Sequence, residues 1–343
     1  MLAIHAITPE VLVARVPGVT LAEARKLIAA AHRGEPIAAS SYVRATAAEA
    51  VRAACAPHAL DVVDETRSQI DPFVKYLLAA PDGARFEAVR IPLEHPGRFT
   101  VCVSSQVGCA LACAFCATGR LGLQRNLAAW EIVEQVRVVR ARLTTGRVHG
   151  VVFQGMGEPL ANLDAVLAAI AVFSEPSALG IDRRAITVCT AGLPSGIRRL
   201  AREAPKVRLG LSVSSAIPRH RKRVMPIADT HELDDVIAAV EDHARATGLS
   251  PMWAVTLLDG VNDSDDDARA LAEHAVAFHA ATGRRPRISI VAYNAIGKDD
   301  PFLRSTRERA FRDVLAAHAL PSHRRYSGGG DVAAACGQLA ARS

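Results

Sequence analysis

Residues 109–116 read CALACAFC, three thiols within eight residues at the spacing C-x3-C-x2-C. Clustered thiolates are ligands for zinc or for iron–sulfur clusters. A closed structural zinc site takes four ligands, and no nearby histidine completes a set here, since His149 lies far downstream on a strand-like stretch. A [4Fe–4S] cube presents four irons, so three thiolates leave one iron for a ligand that the protein does not supply. The chain has seven cysteines, Cys55, Cys102, Cys109, Cys113, Cys116, Cys189 and Cys336. An odd number with one dense cluster argues against a disulfide framework and for metal or redox chemistry.

A second stretch, Gln154-Gly155-Met156-Gly157-Glu158-Pro159-Leu160, combines backbone freedom with one carboxylate. Its glycines allow close approach of a ligand, and Glu158 is suited to accept from an ammonium group. Standing alone, it reads equally well as a plain βα turn. Cys189-Thr190-Ala191-Gly192, Ser212-Val213-Ser214 and Tyr293-Asn294 offer small hydrogen-bonding groups of the kind a nucleoside pocket needs. Cys102 and Cys336 stand apart from the cluster. For a lone cysteine a buried filler is the default, and Cys55 keeps that reading.

The elements that must position these residues follow from periodicity. Strand-like stretches occur at 100–103, 148–154, 185–190, 207–214, 252–258 and 287–292. Helical patterns lie between them at 131–143, 163–173, 195–203, 232–247 and 265–281, with another at 305–318. Six alternations imply parallel strands with right-handed crossovers. The expected fold is α/β, an open (β/α)6 partial barrel over residues 99–343, with Cys336 in a C-terminal loop. In such sheets reactive groups collect beyond the carboxyl ends of the strands, and each motif above follows a strand. Residues 1–80 read as a small helical domain, with Thr20 capping a helix that stops at Gly34. Residues 81–98 read as a hairpin extension turning at Pro96-Gly97.

Half of the 343 residues are apolar, enough for a sizeable core. No apolar run reaches the roughly 18 residues that span a bilayer, and the first residues carry no signal-peptide pattern. The expectation is a cytoplasmic protein. The net charge is +6, with clusters at 219–223 (RHRKR), at Arg284, Arg285 and Arg287, and at His323-Arg324-Arg325 that suit phosphate contacts.

The C-x3-C-x2-C motif after the first strand of a partial barrel resembles the radical S-adenosylmethionine (SAM) enzymes. There the open iron binds SAM, and the glycine-rich element with Glu158 resembles the one that holds the methionine amine. CVSSQVGCALACAFCATG, GMGEPLAN and AACGQL together resemble the RlmN/Cfr family of RNA adenosine methylases, from about Phe86 to Gln338. The resemblance implies a [4Fe–4S] cluster on Cys109, Cys113 and Cys116, and two molecules of SAM per turnover. It implies that Cys336 is methylated first, and that a radical made from the second SAM activates its S-methyl group for addition to the base. Cys102 then attacks the Cys336 sulfur, releasing product and leaving a transient disulfide that must be reduced. By the same matching Glu87, rather than its competitor Glu94, is the base that removes the ring proton. The SAM contacts fall on Gly157, Glu158, Cys189, Ser212, Val213, Ser214 and Asn294. The implied partners are rRNA or tRNA and an electron donor of the flavodoxin or ferredoxin type; no membrane is expected, and the chain is read as a monomer.

The chain also departs from the family pattern. Cys189 stands where the family has serine, Ser214 where it has histidine, and the arginine-glycine-aspartate lead-in to Cys336 is Tyr326-Ser327-Gly328-Gly329-Gly330-Asp331 here, its triple glycine implying a looser loop. Carbon 2 of adenosine is the first reading of the target that the resemblance implies, and the departures motivate an alternative. The same chemistry on carbon 8, or on a small molecule or peptide, is the alternative, and a non-catalytic iron–sulfur RNA-binding protein is the reading from a different class.

Overall fold

The computed structural model describes residues 1–56, 58–297 and 299–341. Helices α1 (Pro9–Arg15), α2 (Leu21–Arg33) and α3 (Ala45–Ala54) form the N-terminal region, where β1 (Leu2–Ala3) pairs with β2 (Cys55–Ala56). Thr20 and Glu23 make a reciprocal capping box on α2, and Gly34 closes the helix with φ 75°. Such a cap contributes about 1 kcal/mol.

The rest is organised on one ten-stranded sheet. Its antiparallel wing is β3 (Asp61–Arg67), β4 (Val74–Ala79), β5 (Arg85–Pro92) and β6 (Arg98–Val103). A separate short antiparallel pair, β7 (Gln106–Gly108) and β8 (Leu123–Asn126), brackets the cysteine loop and α4 (Ala117–Arg120). From β6 the main sheet continues in parallel through β9 (Arg147–Phe153), β10 (Ile186–Thr190), β11 (Arg208–Ser212), β12 (Met252–Leu257), β13 (Arg287–Ala292) and β14 (Ser322–Arg325). The crossovers carry α5 (Ala129–Ala141), α6 (Leu163–Ser174), α7 (Pro194–Glu203), α8 (Pro218–Val224), α9 (Leu233–Thr247), α10 (Asp265–Thr282) and α11 (Glu308–Ala317). This is the partial (β/α)6 barrel, with β14 added as a further parallel edge strand.

Helical structure in the N-terminal region stops at Ala54, so the helical reading of residues 1–80 is corrected over 61–79, where β3 and β4 run. The period of two was masked there by charge in DVVDETR, yet Tyr76 and Leu78 on β4 are fully buried. The expected boundary near residue 80 falls between β4 and β5, inside the antiparallel wing. The hairpin joining β5 to β6 lies where the sequence placed it.

The core runs continuously from Leu12 and Leu27 through Val101, Phe153 and Val188 to Phe311. Trp253 on β12 is fully buried against Phe278 of α10, with ring centroids 5.4 Å apart. A buried aromatic of this kind holds about 3–5 kcal/mol against truncation to alanine, fixing the sheet that carries the site.

Candidate active site at the carboxyl ends of the strands

A cavity of about 250 Å³ opens beyond the carboxyl ends of the parallel strands. Cys102, Cys109, Cys113, Cys116, Gly157, Glu158, Cys189, Ser212, Ser214 and Cys336 all line it; of the sequence-predicted site residues, Glu87, Val213 and Asn294 do not.

The cysteine loop is shaped by its glycines. Gly108 has φ 77°, and a Cβ there would collide with the carbonyl of Gly122. A Cβ on Gly119 would lie 2.8 Å from both the nitrogen and the carbonyl oxygen of Cys113, so only glycine lets α4 fold back on the loop. Arg120 ties the two together, with Nε donating to the carbonyl of Ala114 at 2.9 Å. Its Nη2 reaches Asp300 at 2.9 Å. Leu111, Cys113 and Phe115 pack on a small apolar cluster that includes Met225 and Tyr293.

Among the described residues no three Cys, His, Asp or Glu side chains converge on a single metal ion. A cube does not require that, because each thiolate takes its own iron. Burial raises all three thiols, Cys109 to about 11, and repulsion between neighbours adds to the rise at Cys113. Coordination to a metal deprotonates a thiol outright. A soft three-sulfur set on one loop, with all three sulfurs lining the cavity, fits a cluster that leaves one iron for a further ligand.

Glu158 is 4 % exposed. Its Oε1 accepts from the Leu160 N–H at 3.0 Å and its Oε2 from the Ala191 N–H at 2.9 Å. Burial pushes its carboxyl up to about 7, against those hydrogen bonds. Among the described residues lining the cavity it is the one carboxylate. A buried carboxylate facing a cavity, without a cation beside it, suits a ligand ammonium group such as that of SAM. Gly157, with φ 95°, lies so close to the Gln106 side chain that a Cβ would clash. Gln106 in turn accepts from the Glu158 N–H at 2.8 Å.

The C-terminal loop is docked on the cysteine loop. The Ala117 N–H donates to the Gly337 carbonyl at 2.7 Å, and the Thr118 hydroxyl to the Leu339 carbonyl at 2.6 Å. The Cys336 N–H donates to Ser327 Oγ at 2.9 Å. The glycine run before Cys336 is not the looser loop its composition implied. A Cβ on Gly328 would collide with Phe73, and the Gly329 N–H donates to Asp71 at 2.8 Å. Asp331 accepts from the Ser68 hydroxyl at 2.7 Å and the Gln69 N–H at 2.8 Å. These anchors come from the β3–β4 connection, and no local signal in the sequence pointed to them.

Glu87 is 1 % exposed. Its Oε1 pairs with Lys75 Nζ at 3.0 Å, while Oε2 accepts from the N–H groups of Ala340 at 2.8 Å and Ala341 at 3.1 Å. Alternation along β5 puts it on the same face as Val89 and Ile91, which do line the cavity. Glu94 is exposed in the β5–β6 turn. Asn294 donates to Ser327 Oγ at 3.1 Å and the Cys336 carbonyl at 3.3 Å, so it holds the loop rather than facing the cavity. Val213 is fully buried.

Two basic residues read as phosphate contacts are corrected. Arg221 is 1 % exposed, and its guanidinium donates to backbone carbonyls, among them Ala191 at 2.8 Å. Arg325 lines the cavity. Arg284, Arg285 and Arg287 sit at the amino end of β13, away from the cavity end of the sheet. An open groove between α11 and β14 sets Arg324 of the basic run beside Arg304, Arg309 and Arg312, three arginines that were not singled out in the sequence.

The radical SAM superfamily model matches residues 103–275. The fold and the site together define a radical SAM enzyme, with a [4Fe–4S] cluster and SAM as its cofactors. The chain is 57% identical to a probable RNA methyltransferase of Sorangium cellulosum, over 94% of this chain and 88% of that one. It is 41% identical to the dual-specificity RNA methyltransferase RlmN of Syntrophobacter fumaroxidans, over 82% of this chain and 80% of that one. A crystal structure of a radical SAM methyltransferase from Sphaerobacter thermophilus matches with a TM-score of 0.86 at 33% identity, covering 100% of both chains. The chain belongs to the RlmN family of radical SAM RNA methyltransferases.

Proposed function

We propose that this enzyme methylates an adenosine carbon in rRNA or tRNA, carbon 2 in the first instance, through a methyl group carried on Cys336. The observation that supports this most is the meeting of Cys336 and Cys102 in the cavity that also receives the three cluster cysteines. Cys109, Cys113 and Cys116 hold the cluster, and Glu158 receives the ammonium of SAM. Bound together, the two cofactors supply a methyl group and the radical that removes a hydrogen atom from a methyl group.

The protein's own residues do the rest. Cys336 displaces the methyl group from a sulfonium, forming its S–CH3 bond as S-adenosylhomocysteine leaves. After the carbon has joined the base, Glu87 takes the ring proton, which requires Ala340 and Ala341 to release its carboxylate. Cys102 then attacks the Cys336 sulfur. The S–S bond forms as the S–C bond breaks, its electron pair going to the methylene carbon, which takes a proton from solvent to become the product methyl group. The unpaired electron left by radical addition would be taken up by the cluster, an external donor of the flavodoxin or ferredoxin type supplies the electron that starts the reaction, and a thiol reductant resets the disulfide. The exposed arginines of the α11–β14 groove and of α8 favour RNA as the substrate, through contacts to its phosphates. The target base must leave its stack to enter the cavity. A monomer in the cytoplasm completes the reading; no helix among the described residues is long and apolar enough to cross a membrane.

The test is a Cys102→Ala variant incubated with RNA, SAM and a reductant. The expected product is an adduct in which nuclease digestion leaves one adenosine on the Cys336 peptide. Free methylated RNA at the wild-type rate, with no adduct, removes the resolving role of Cys102.

A further inference from the structure

We propose that Arg325 is the counter-cation of the sulfur chemistry, a positioning residue that pairs with the Cys336 sulfur when that sulfur is anionic. This deepens the reading above and rests on it. Three observations carry the inference. First, parallel pairing sets Arg325 of β14 opposite Val291 of β13. Val291 lines the cavity, and so does Arg325, while Arg324 one residue earlier lines the outer groove. The guanidinium therefore enters the cavity by strand alternation, although the sequence places it in a basic run. Second, among the described residues lining the cavity Arg325 is the one cation, and the one carboxylate, Glu158, is already engaged by Ala191 and Leu160. Third, Arg325 Nη1 is buried with no hydrogen-bond partner. A buried guanidinium hydrogen is costly to leave unpaired, so a group that becomes anionic is its fitting partner.

Thiols supply that group. Cys102 of β6, Cys189 of β10 and Cys336 of the C-terminal loop all face the same cavity. Burial opposes the charge on Arg325, and the fields of Cys336, Cys189 and Cys102 more than offset it. Cys102 is pushed up by burial and by Cys336, and Cys189 is pushed up to about 12 by burial, with Arg325 pulling both down. The remaining neighbour, Tyr326, turns its hydroxyl to Asp71 at 2.8 Å. Methyl transfer to Cys336 needs the thiolate. A nearby cation raises the thiolate fraction faster than it lowers nucleophilicity, because the Brønsted slope is only about 0.4–0.5. The proton leaves to solvent, since Cys336 is half-buried.

The experiment compares Arg325→Gln and Arg325→Lys with the wild type. Iodoacetamide is added to the full chain at fixed pH, and alkylation is followed by peptide mass on chains whose Cys336 is unmethylated. Reconstituted cluster absorbance serves as the folding control. The expected result is about tenfold slower alkylation of Cys336 in Arg325→Gln, the factor expected when one charge interaction with the sulfur anion is lost, with most of the rate recovered in Arg325→Lys. Wild-type alkylation in Arg325→Gln overturns the proposal. So does a lysine variant as slow as the glutamine one while its cluster absorbance is intact, because charge is then not what matters. Alkylation needs neither SAM nor RNA. If methylated Cys336 is found in the wild type and alkylation is unchanged in Arg325→Gln, only this inference fails. If Cys336 is never methylated, the underlying reading fails, whatever the alkylation rates.

Discussion

At the scale of single residues, the site combines one buried carboxylate with sulfurs that share its cavity with one guanidinium. Glu158 is held by two backbone N–H groups and faces a cavity without a second carboxylate among the described lining residues. Glu158→Gln keeps the shape and removes the charge. A hydrogen bond to a charged group is worth about 1.5–3 kcal/mol, which converts to roughly 10- to 150-fold weaker SAM binding. Isothermal titration of the reconstituted enzyme measures this; unchanged affinity rules Glu158 out as the ammonium site. Ten of the site residues expected from the sequence do line the cavity, because each motif follows a strand whose end the βα alternation fixes. Glu87, Val213 and Asn294 do not. Whether a side chain at a strand end faces the cavity or a neighbouring loop depends on contacts from distant segments, such as the Ala340 and Ala341 N–H groups on Glu87.

Elements bring these residues together. The cluster loop depends on Gly119, where a Cβ would meet backbone atoms of Cys113 at 2.8 Å and nothing flexible could yield. Gly119→Ala should yield a folded chain with much less iron per molecule after reconstitution; full iron content there contradicts the close packing of α4 on the loop. The parallel strands were legible because their β-branched apolar runs alternate with helical periods, as in β9 (Arg147–Phe153), which lies between α5 and α6. β3 and β14 were not. Their residues, DVVDETR and SHRR, carry little apolar pattern, and pairing with β4 and β13 makes them strands. Missing β14 is also what hid the direction of Arg325.

Across the whole molecule, the C-terminal sulfur reaches the cluster loop because three distant segments converge. Asp71 and Phe73, from the β3–β4 connection, pin Gly328 and Gly329; Ser327 and Asn294 hold the backbone of Cys336; Ala117 and Thr118 clasp Gly337 and Leu339. The fold therefore spends contacts from both ends of the chain on placing one thiol. That placement gives the central claim its meaning: the methyl group passes through Cys336 before it reaches RNA. The direct measurement uses SAM carrying a deuterated methyl group. Enzyme, RNA and reductant are mixed, and the mass of the Cys336 peptide is followed through successive turnovers. The account predicts that enzyme already carrying an unlabelled methyl group on Cys336 yields unlabelled product in its first turnover, and that label enters both Cys336 and RNA in later ones. Labelled RNA in the first turnover, with Cys336 unmodified throughout, would contradict it.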